Sequence, residues 1–168
     1  NISRARMARR RDLMSGPLAM TAPGTVATLA RAHARFGTRP WAELLAPAIA
    51  IAEAGSPVNA TDHRFLAKYA PRIEGASFLR PLYLTGECDA EANAVTVPVG
   101  HNVVYPNLAR TLRRLAESGP DEFYRGRIAA EVVADLERYS AFLRAEDLAR
   151  VPSSIIVTSP LRGRYRDL

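Results

Sequence analysis

The sequence predicts an α+β chain, mostly helical with a few short strands. Apolar residues recur every three or four positions through most of its length, the period of a helix with one buried face. Runs of β-branched residues are few and short, and glycine or proline punctuates most changes of pattern. The composition fits a globular domain or a piece of one: of 168 residues, 48% are hydrophobic, 24% charged and 7% aromatic.

Leu13 to Ala22 reads as a short strand, and Pro23-Gly24-Thr25 turns it into a helix with Val26, Leu29, Ala30 and His33 on one face until Gly37 stops it. Between Pro40 and Gly55 a second helix places Trp41, Leu44, Leu45, Ala48 and Ala52 on one stripe. Pro47 lacks the N–H that would bond to the Glu43 carbonyl, so a kink or two abutting helices is expected there. A third helix begins near Asn59 to Asp62 and runs to about Tyr69, ending before Pro71.

Residues 71–106 are broken by Gly75, Pro81, Gly86, Pro98, Gly100 and Pro106 and read as a long surface excursion or lid, with only Val95 to Val99 and Val103 to Tyr105 extended. Asn107 is a good cap for the next helix, whose stripe is Leu108, Leu112, Leu115 and Ala116 and whose stop is Gly119. Pro120-Asp121 opens a short helix through Tyr124, and after Gly126 the residues Ile128, Val132 and Leu136 stand at helical spacing. Glu146 to Arg150 makes one more turn. Ser154 to Thr158 is a short β-branched strand and Pro160 to Tyr165 a second extended piece. There is no internal repeat and no low-complexity segment.

The net charge of +6 raises the question of nucleic acid, so the position of the charge matters. Arg4, Arg6, Arg9, Arg10 and Arg11 face only Asp12 within residues 1–12, and Arg162, Arg164 and Arg166 face only Asp167 at the other end. Residues 13–161 between them carry no net charge. The basicity belongs to the two ends, and Lys68 is the only lysine beside 22 arginines, a pattern of a GC-rich, bacterial-looking coding sequence. With no recognised motif and no interleaved aromatics, no nucleic-acid partner is expected. No window approaches the ~20 consecutive apolar residues of a membrane helix, and the arginine-rich start lacks the apolar core of a signal peptide, so neither a membrane span nor a secretion signal is expected. Cys88 stands alone, which leaves no disulfide framework and no Cys-x-x-Cys pair. The compartment, cytoplasmic or exported, stays open.

Motif chemistry is sparse. His33, His63 and His101 lie far apart in sequence, with none in the i, i+4 spacing that puts two imidazoles on one metal. Asp89-Ala90-Glu91-Ala92-Asn93 imitates the opening of a calcium loop, but Ala94 replaces the glycine and Gly100 the bidentate glutamate, so it reads as a solvated acidic loop. Phosphate-cradling glycine motifs and the Gly-x-Ser-x-Gly elbow are absent. Asp121-Glu122 and Glu146-Asp147 suit the first turns of helices, where carboxylates complement the dipole. Asn59-Ala60-Thr61 matches a glycosylation sequon by pattern alone.

Longer stretches say more. Gly16-Pro17-Leu18-Ala19-Met20-Thr21-Ala22-Pro23-Gly24-Thr25-Val26-Ala27, then Arg35-Phe36-Gly37 and Pro40-Trp41-Ala42-Glu43-Leu44-Leu45-Ala46-Pro47-Ala48, resemble the large-subunit region of γ-glutamyltransferases. Pro106 to Leu112, Gly119 to Gly126, Glu146-Asp147-Leu148 and Pro160 to Tyr165 continue the resemblance in the same order, over residues 16–165. Two departures are local: Ser140-Ala141-Phe142 where that family has a glycine-rich turn, and Val151 where a tyrosine is common. On this reading residues 1–15 are a basic extension and 16–168 an incomplete domain.

The resemblance implies part of an N-terminal-nucleophile hydrolase with a four-layer αββα core, made as a precursor that cleaves itself into large and small subunits. It implies a threonine nucleophile at the new N-terminus of the small subunit, using its own amino group as base, with backbone donors holding the oxyanion. The γ-glutamyl group of glutathione or a related amide would pass to that threonine and then to water or an amino acid, with no cofactor. Neither the Thr-Thr pair of the processing site nor the Phe-Arg-Glu stretch that carries the carboxylate-binding arginine occurs in this sequence. Arg9, Arg10 and Arg11 lie too close to Gly16 to take that role, and Thr25 reads as a helix cap rather than a nucleophile. No catalytic, substrate-binding or metal-binding residue is therefore assigned.

Partners implied by the resemblance are the small catalytic subunit of the same precursor and a glutathione-like substrate of the whole protein. The isolated residues are expected to be inactive. With strands at Leu18 and Ile155 lacking neighbours, they are also expected to self-associate. Three alternatives stand beside this reading: a relative cleaving a glutaryl or poly-γ-glutamyl amide, a non-catalytic interaction domain using Trp41, Leu44 and Leu45, and a nucleic-acid binder whose affinity falls steeply with salt.

Overall fold

Glycine and proline set the limits of most elements, though not always where periodicity alone places them. The computed structural model describes residues 19–76, 78–91, 93–139 and 141–164. Among these the order is α1 (Thr25–Phe36), α2 (Trp41–Ala54), β1 (Ser56–Pro57), α3 (Ala60–Glu74), α4 (Arg80–Tyr83), β2 (Leu84–Cys88), β3 (Ala94–Thr96), β4 (Asn102–Val103), α5 (Pro106–Ser118), α6 (Glu122–Arg125), α7 (Arg127–Arg138) and α8 (Ala145–Ser154). The basic extension 1–15 and most of the expected strand from Leu13 lie outside the described residues, and residues 19–24 form no strand. The chain divides into two units, residues 1–41 with 118–168, and residues 42–117.

In the second unit, Gly55 ends α2 with φ +88, a left-handed conformation in which a β-carbon is strained. A Cβ there would also run into the Asn102 side chain, which is held in place by donating from Nδ2 to the Ala54 carbonyl at 2.8 Å. The chain then enters β1, which pairs antiparallel with β4 through Ser56 with Val103 and Pro57 with Asn102. Above this pair Val58, Val97 and Val103 form a small buried cluster with Leu66, Leu82, Tyr83 and Tyr105 packed on it. Glu53 of α2 and Arg113 of α5 form an ion pair.

Asn59 caps α3, its Oδ1 accepting the N–H groups of Thr61 at 2.8 Å and Asp62 at 2.9 Å, while Asp62 Oδ2 accepts the Asn59 N–H at 3.4 Å. The expected stop before Pro71 does not occur: the helix continues to Glu74. Pro71 forfeits one bond, to the Ala67 carbonyl, but the last turn buries Ile73 with Ala70 and Leu84, and that burial is favourable enough to carry the helix past the proline.

Residues 71–106 are also more regular than their glycines and prolines suggest. β2 and β3 pair antiparallel from Leu84 with Thr96 to Cys88 with Ala94, the β2 side carrying extra residues around Gly86, whose φ of +85 fits a bulge. The alternation expected for strands is obscured on β2 by Thr85-Gly86-Glu87, which explains why only β3 is legible. α5 starts at Pro106 rather than being capped by Asn107, since proline at the first helical position lacks only an N–H that would be unsatisfied anyway. Its buried face is Ala109 and Leu115, leaving Leu108 half exposed at 48%.

In the first unit α1 begins at Thr25 and ends at Gly37, whose N–H donates to the His33 carbonyl. α7 buries Ile128, Ala129 and Leu136 as its spacing predicts, and Leu136 packs with Ala141, Leu143 and Leu148 of the segment leading into and through α8. A second cluster joins Ala27 of α1, Tyr124 of α6 and Val151 of α8, with Val26, Phe123 and Ile155 at its margin. α2 is one continuous helix through Pro47, so abutting helices do not form.

Candidate functional site

Two of the three histidines serve the fold. His33 donates from Nε2 to the Arg39 carbonyl at 2.7 Å and meets Trp41 edge-on at 5.5 Å between ring centroids, fixing the turn after α1. His63 donates from Nδ1 to the Val97 carbonyl at 3.0 Å and ties α3 to the strand region. His101 lies exposed in the turn before β4. Among the described residues no group of three or more His, Cys, Asp or Glu side chains could hold a metal ion. The calcium-like loop is an Asx turn: Asp89 Oδ1 accepts the N–H groups of Glu91 at 3.1 Å and Asn93 at 2.8 Å, and the Asn93 donation holds its carboxyl below the ordinary aspartate value.

Three of the four carboxylates in the acidic pairs are likewise structural. Asp121 bridges to Arg125 at 3.1 Å, Glu122 Oε1 accepts the Arg127 N–H at 3.0 Å at the start of α7, and Asp147 Oδ2 accepts the Arg144 N–H at 3.0 Å. Thr25 is exposed at the first position of α1 and makes no cap hydrogen bond, which corrects the expectation of a threonine cap. The cap position is Gly24, which has no side chain to offer. Its place is taken by Tyr124, whose hydroxyl accepts the Ala27 N–H at 2.8 Å and donates to the Pro23 carbonyl at 2.8 Å. Tyr124 is almost wholly buried, and that burial pushes its hydroxyl above the ordinary tyrosine value. Sequence spacing missed this residue, although a Pro-Gly helix start with no capping side chain is a signal that the acceptor must come from elsewhere.

Beside Tyr124 lies a groove of about 870 Å³, floored by the small side chains Ala27, Ala30 and Ala34 of α1 and walled by Pro152 and Ile155 to Thr158. The expected strand at Ser154 to Thr158 does not form: Ser154 closes α8, and residues 155–164 belong to no helix or strand. Ile155 is extended, with φ −69 and ψ 119, and Ile156 is 83% exposed and Val157 53%. Among the described residues this extended β-branched run has no neighbouring strand, and such a run keeps its backbone groups open to pairing. α2 is also more exposed than its sequence suggests. Only Glu43 and Glu53 interrupt its apolar sequence, which suits a helix enclosed on all sides, yet Ala52 is its only buried residue and Ile51 stands 58% exposed.

The family model described as gamma-glutamyltranspeptidase matches residues 3–168. The chain belongs to the γ-glutamyltranspeptidase family. A glutathione hydrolase proenzyme of Pseudomonas aeruginosa is 35% identical over 134 residues, covering 80% of this chain and 22% of that protein. Among solved structures, the γ-glutamyltranspeptidase of Helicobacter pylori aligns with a TM-score of 0.77 at 26% identity, over 94% of this chain and 43% of that one. The transpeptidase enzyme CapD of Bacillus anthracis aligns with a TM-score of 0.73 at 27% identity, over 92% of this chain and 50% of that one.

The expected fold class, a mostly helical α+β segment of an N-terminal-nucleophile hydrolase with a few short strands, is therefore what forms. The chain spans between 22% and 25% of the length of the curated γ-glutamyltranspeptidase relatives it matches. Among the described residues no helix is long and apolar enough to cross a membrane.

Proposed function

We infer that this chain is a large-subunit segment of an enzyme that moves γ-glutamyl groups, from glutathione or a related amide, to water or an amino acid. The observation that carries the reading is the family match along residues 3–168, supported by the likeness to a γ-glutamyltranspeptidase at TM-score 0.77. The catalytic threonine belongs to a small subunit released from the same proenzyme, and these residues contribute scaffold rather than chemistry. That division agrees with the structure's own economy: His33, His63, Asp121, Glu122, Asp147 and Tyr124 are engaged in structural hydrogen bonds.

The groove beside Tyr124 and the extended run at Ile155 to Thr158 are where that further polypeptide would pack, adding strand pairing to Ile156 and Val157 and apolar contact to α1. Expression of the whole reading frame, followed by intact-mass analysis, tests the reading. The expected outcome is two polypeptides, the smaller beginning with threonine. A frame that stays uncleaved, or whose cleavage product begins with a residue that is no nucleophile, would overturn it.

A further inference from the structure

The outward side of α3 carries three cations beside two aromatic rings. Arg64, Lys68 and Arg72 recur every fourth residue and all three are exposed, so they form one stripe about 6 Å apart along the axis. Phe65 and Tyr69 form the adjoining stripe, 56% and 39% exposed, with rings parallel within 2° and centroids 6.5 Å apart. Lys68 Nζ lies 5.6 Å and the Arg72 guanidinium 5.5 Å from the Tyr69 ring centroid.

Four exposed arginines elsewhere pair with carboxylates, Arg113 with Glu53, Arg125 with Asp121, Arg127 with Glu131 and Arg138 with Asp135, whereas others such as Arg31 and Arg35 of α1 do not among the described residues. Among the described residues no carboxylate pairs with Arg64, Lys68 or Arg72, and the contact of Arg64 is a 3.5 Å donation to the Thr61 hydroxyl. The stripe is also a local feature, because residues 13–161 as a whole carry no net charge. Three unneutralised cations set beside two exposed aromatic rings make a surface that favours charge complementarity with some apolar contact.

We propose that this face of α3 docks a carboxylate-rich polypeptide segment of a partner protein. Its carboxylates would pair with Arg64, Lys68 and Arg72, and an apolar or aromatic side chain among them would lie against Phe65 and Tyr69. A polypeptide fits better than nucleic acid because three cations offer few phosphate contacts.

Lys68 is the only lysine in the chain, and this makes the test specific. A peptide alternating Glu and Tyr is mixed with the full 168-residue chain and treated with a carbodiimide, and the cross-linked residue is mapped by mass spectrometry. The expected result is an amide between the peptide and Lys68, abolished in Lys68→Gln. Arg64→Gln, Arg72→Gln and Phe65→Ser, all at exposed positions, should each weaken the peptide's binding several-fold in a fluorescence titration. A cross-link no stronger than that of a Gln-Tyr peptide carrying only its C-terminal carboxylate, or titrations that the variants leave unchanged, would overturn the proposal. A single-stranded oligonucleotide binding more tightly than the acidic peptide would overturn the choice of partner.

Discussion

The Tyr124 hydroxyl caps α1 by accepting the Ala27 N–H at 2.8 Å, across 97 residues of sequence. A helix that starts with Pro-Gly has no side chain able to take that bond, so the first turn of α1 depends on a residue of α6. Two distant stretches that carry the family resemblance, Gly16 to Ala27 and Gly119 to Gly126, are thus physically joined.

Tyr124→Phe keeps the ring and removes only the bond. The Ala27 N–H and the Pro23 carbonyl would lose their partner in a buried place, at a cost of roughly 1–3 kcal/mol. Hydrogen exchange reports it locally: the Ala27 amide should exchange faster in the variant while the amides of α3 keep their rates. An unchanged Ala27 amide would show that the hydroxyl is not the cap.

Gly55→Ala should destabilise the other unit. The left-handed φ of +88 costs an L-residue roughly 1–2 kcal/mol, and the new methyl group would meet Asn102. Adding Asn102→Ala removes the collision but also the bond to the Ala54 carbonyl, so the double variant should fall short of the sum of the two single losses. Urea unfolding of the four proteins measures this coupling. Strict additivity would contradict it.

Tyr83 gives a pH dependence at the alkaline end. Burial raises its hydroxyl from 10.0 to about 12, with the 3.1 Å hydrogen bond to Tyr105, the Tyr105 charge and the Asp62 charge adding to it. Because the folded value is the higher one, the stabilising contribution is complete below pH 10, where the unfolded tyrosine is also protonated, and is lost as the pH climbs towards 12. Ultraviolet titration should show a late-ionising tyrosine that disappears in Tyr83→Phe. Ionisation of Tyr83 in step with the exposed tyrosines would contradict the geometry.

How much could be read beforehand follows from which interactions are local. The cap at Asn59, the stops at Gly37 and Gly119, and the Ile128, Val132, Leu136 face each depend on residues within a turn or two, and all were legible. Pro71 does not end its helix because the burial of Ile73 beyond it outweighs one missing hydrogen bond. β2 was hidden by Gly86, and the Tyr124 cap by its distance from Gly24. The strand expected at Ile155 has the right residues but no neighbour among the described residues, and a strand exists only as half of a pair. For the site, resemblance supplied the family while local chemistry supplied no catalytic residue, and the structure shows His33, His63, Asp121, Glu122 and Asp147 engaged in structural hydrogen bonds.

The exposed run from Ile156 onward should drive self-association of the isolated chain. Ile156 at 83% and Leu161 at 102% exposure lie on a segment in no helix or strand, which is a template for pairing with a second copy. Light scattering should detect species larger than 18.4 kDa, reduced in Ile156→Lys. A strictly monomeric chain at high micromolar concentration would contradict this.

The assignment to a γ-glutamyl-transferring enzyme whose nucleophile lies outside these residues is tested most directly by turnover of a γ-glutamyl anilide. The purified 168-residue chain and the product of its whole reading frame are assayed side by side against heat-killed controls. Anilide release by the whole product and none by the 168-residue chain is the expected result; release by the chain alone, or by neither protein, would contradict it.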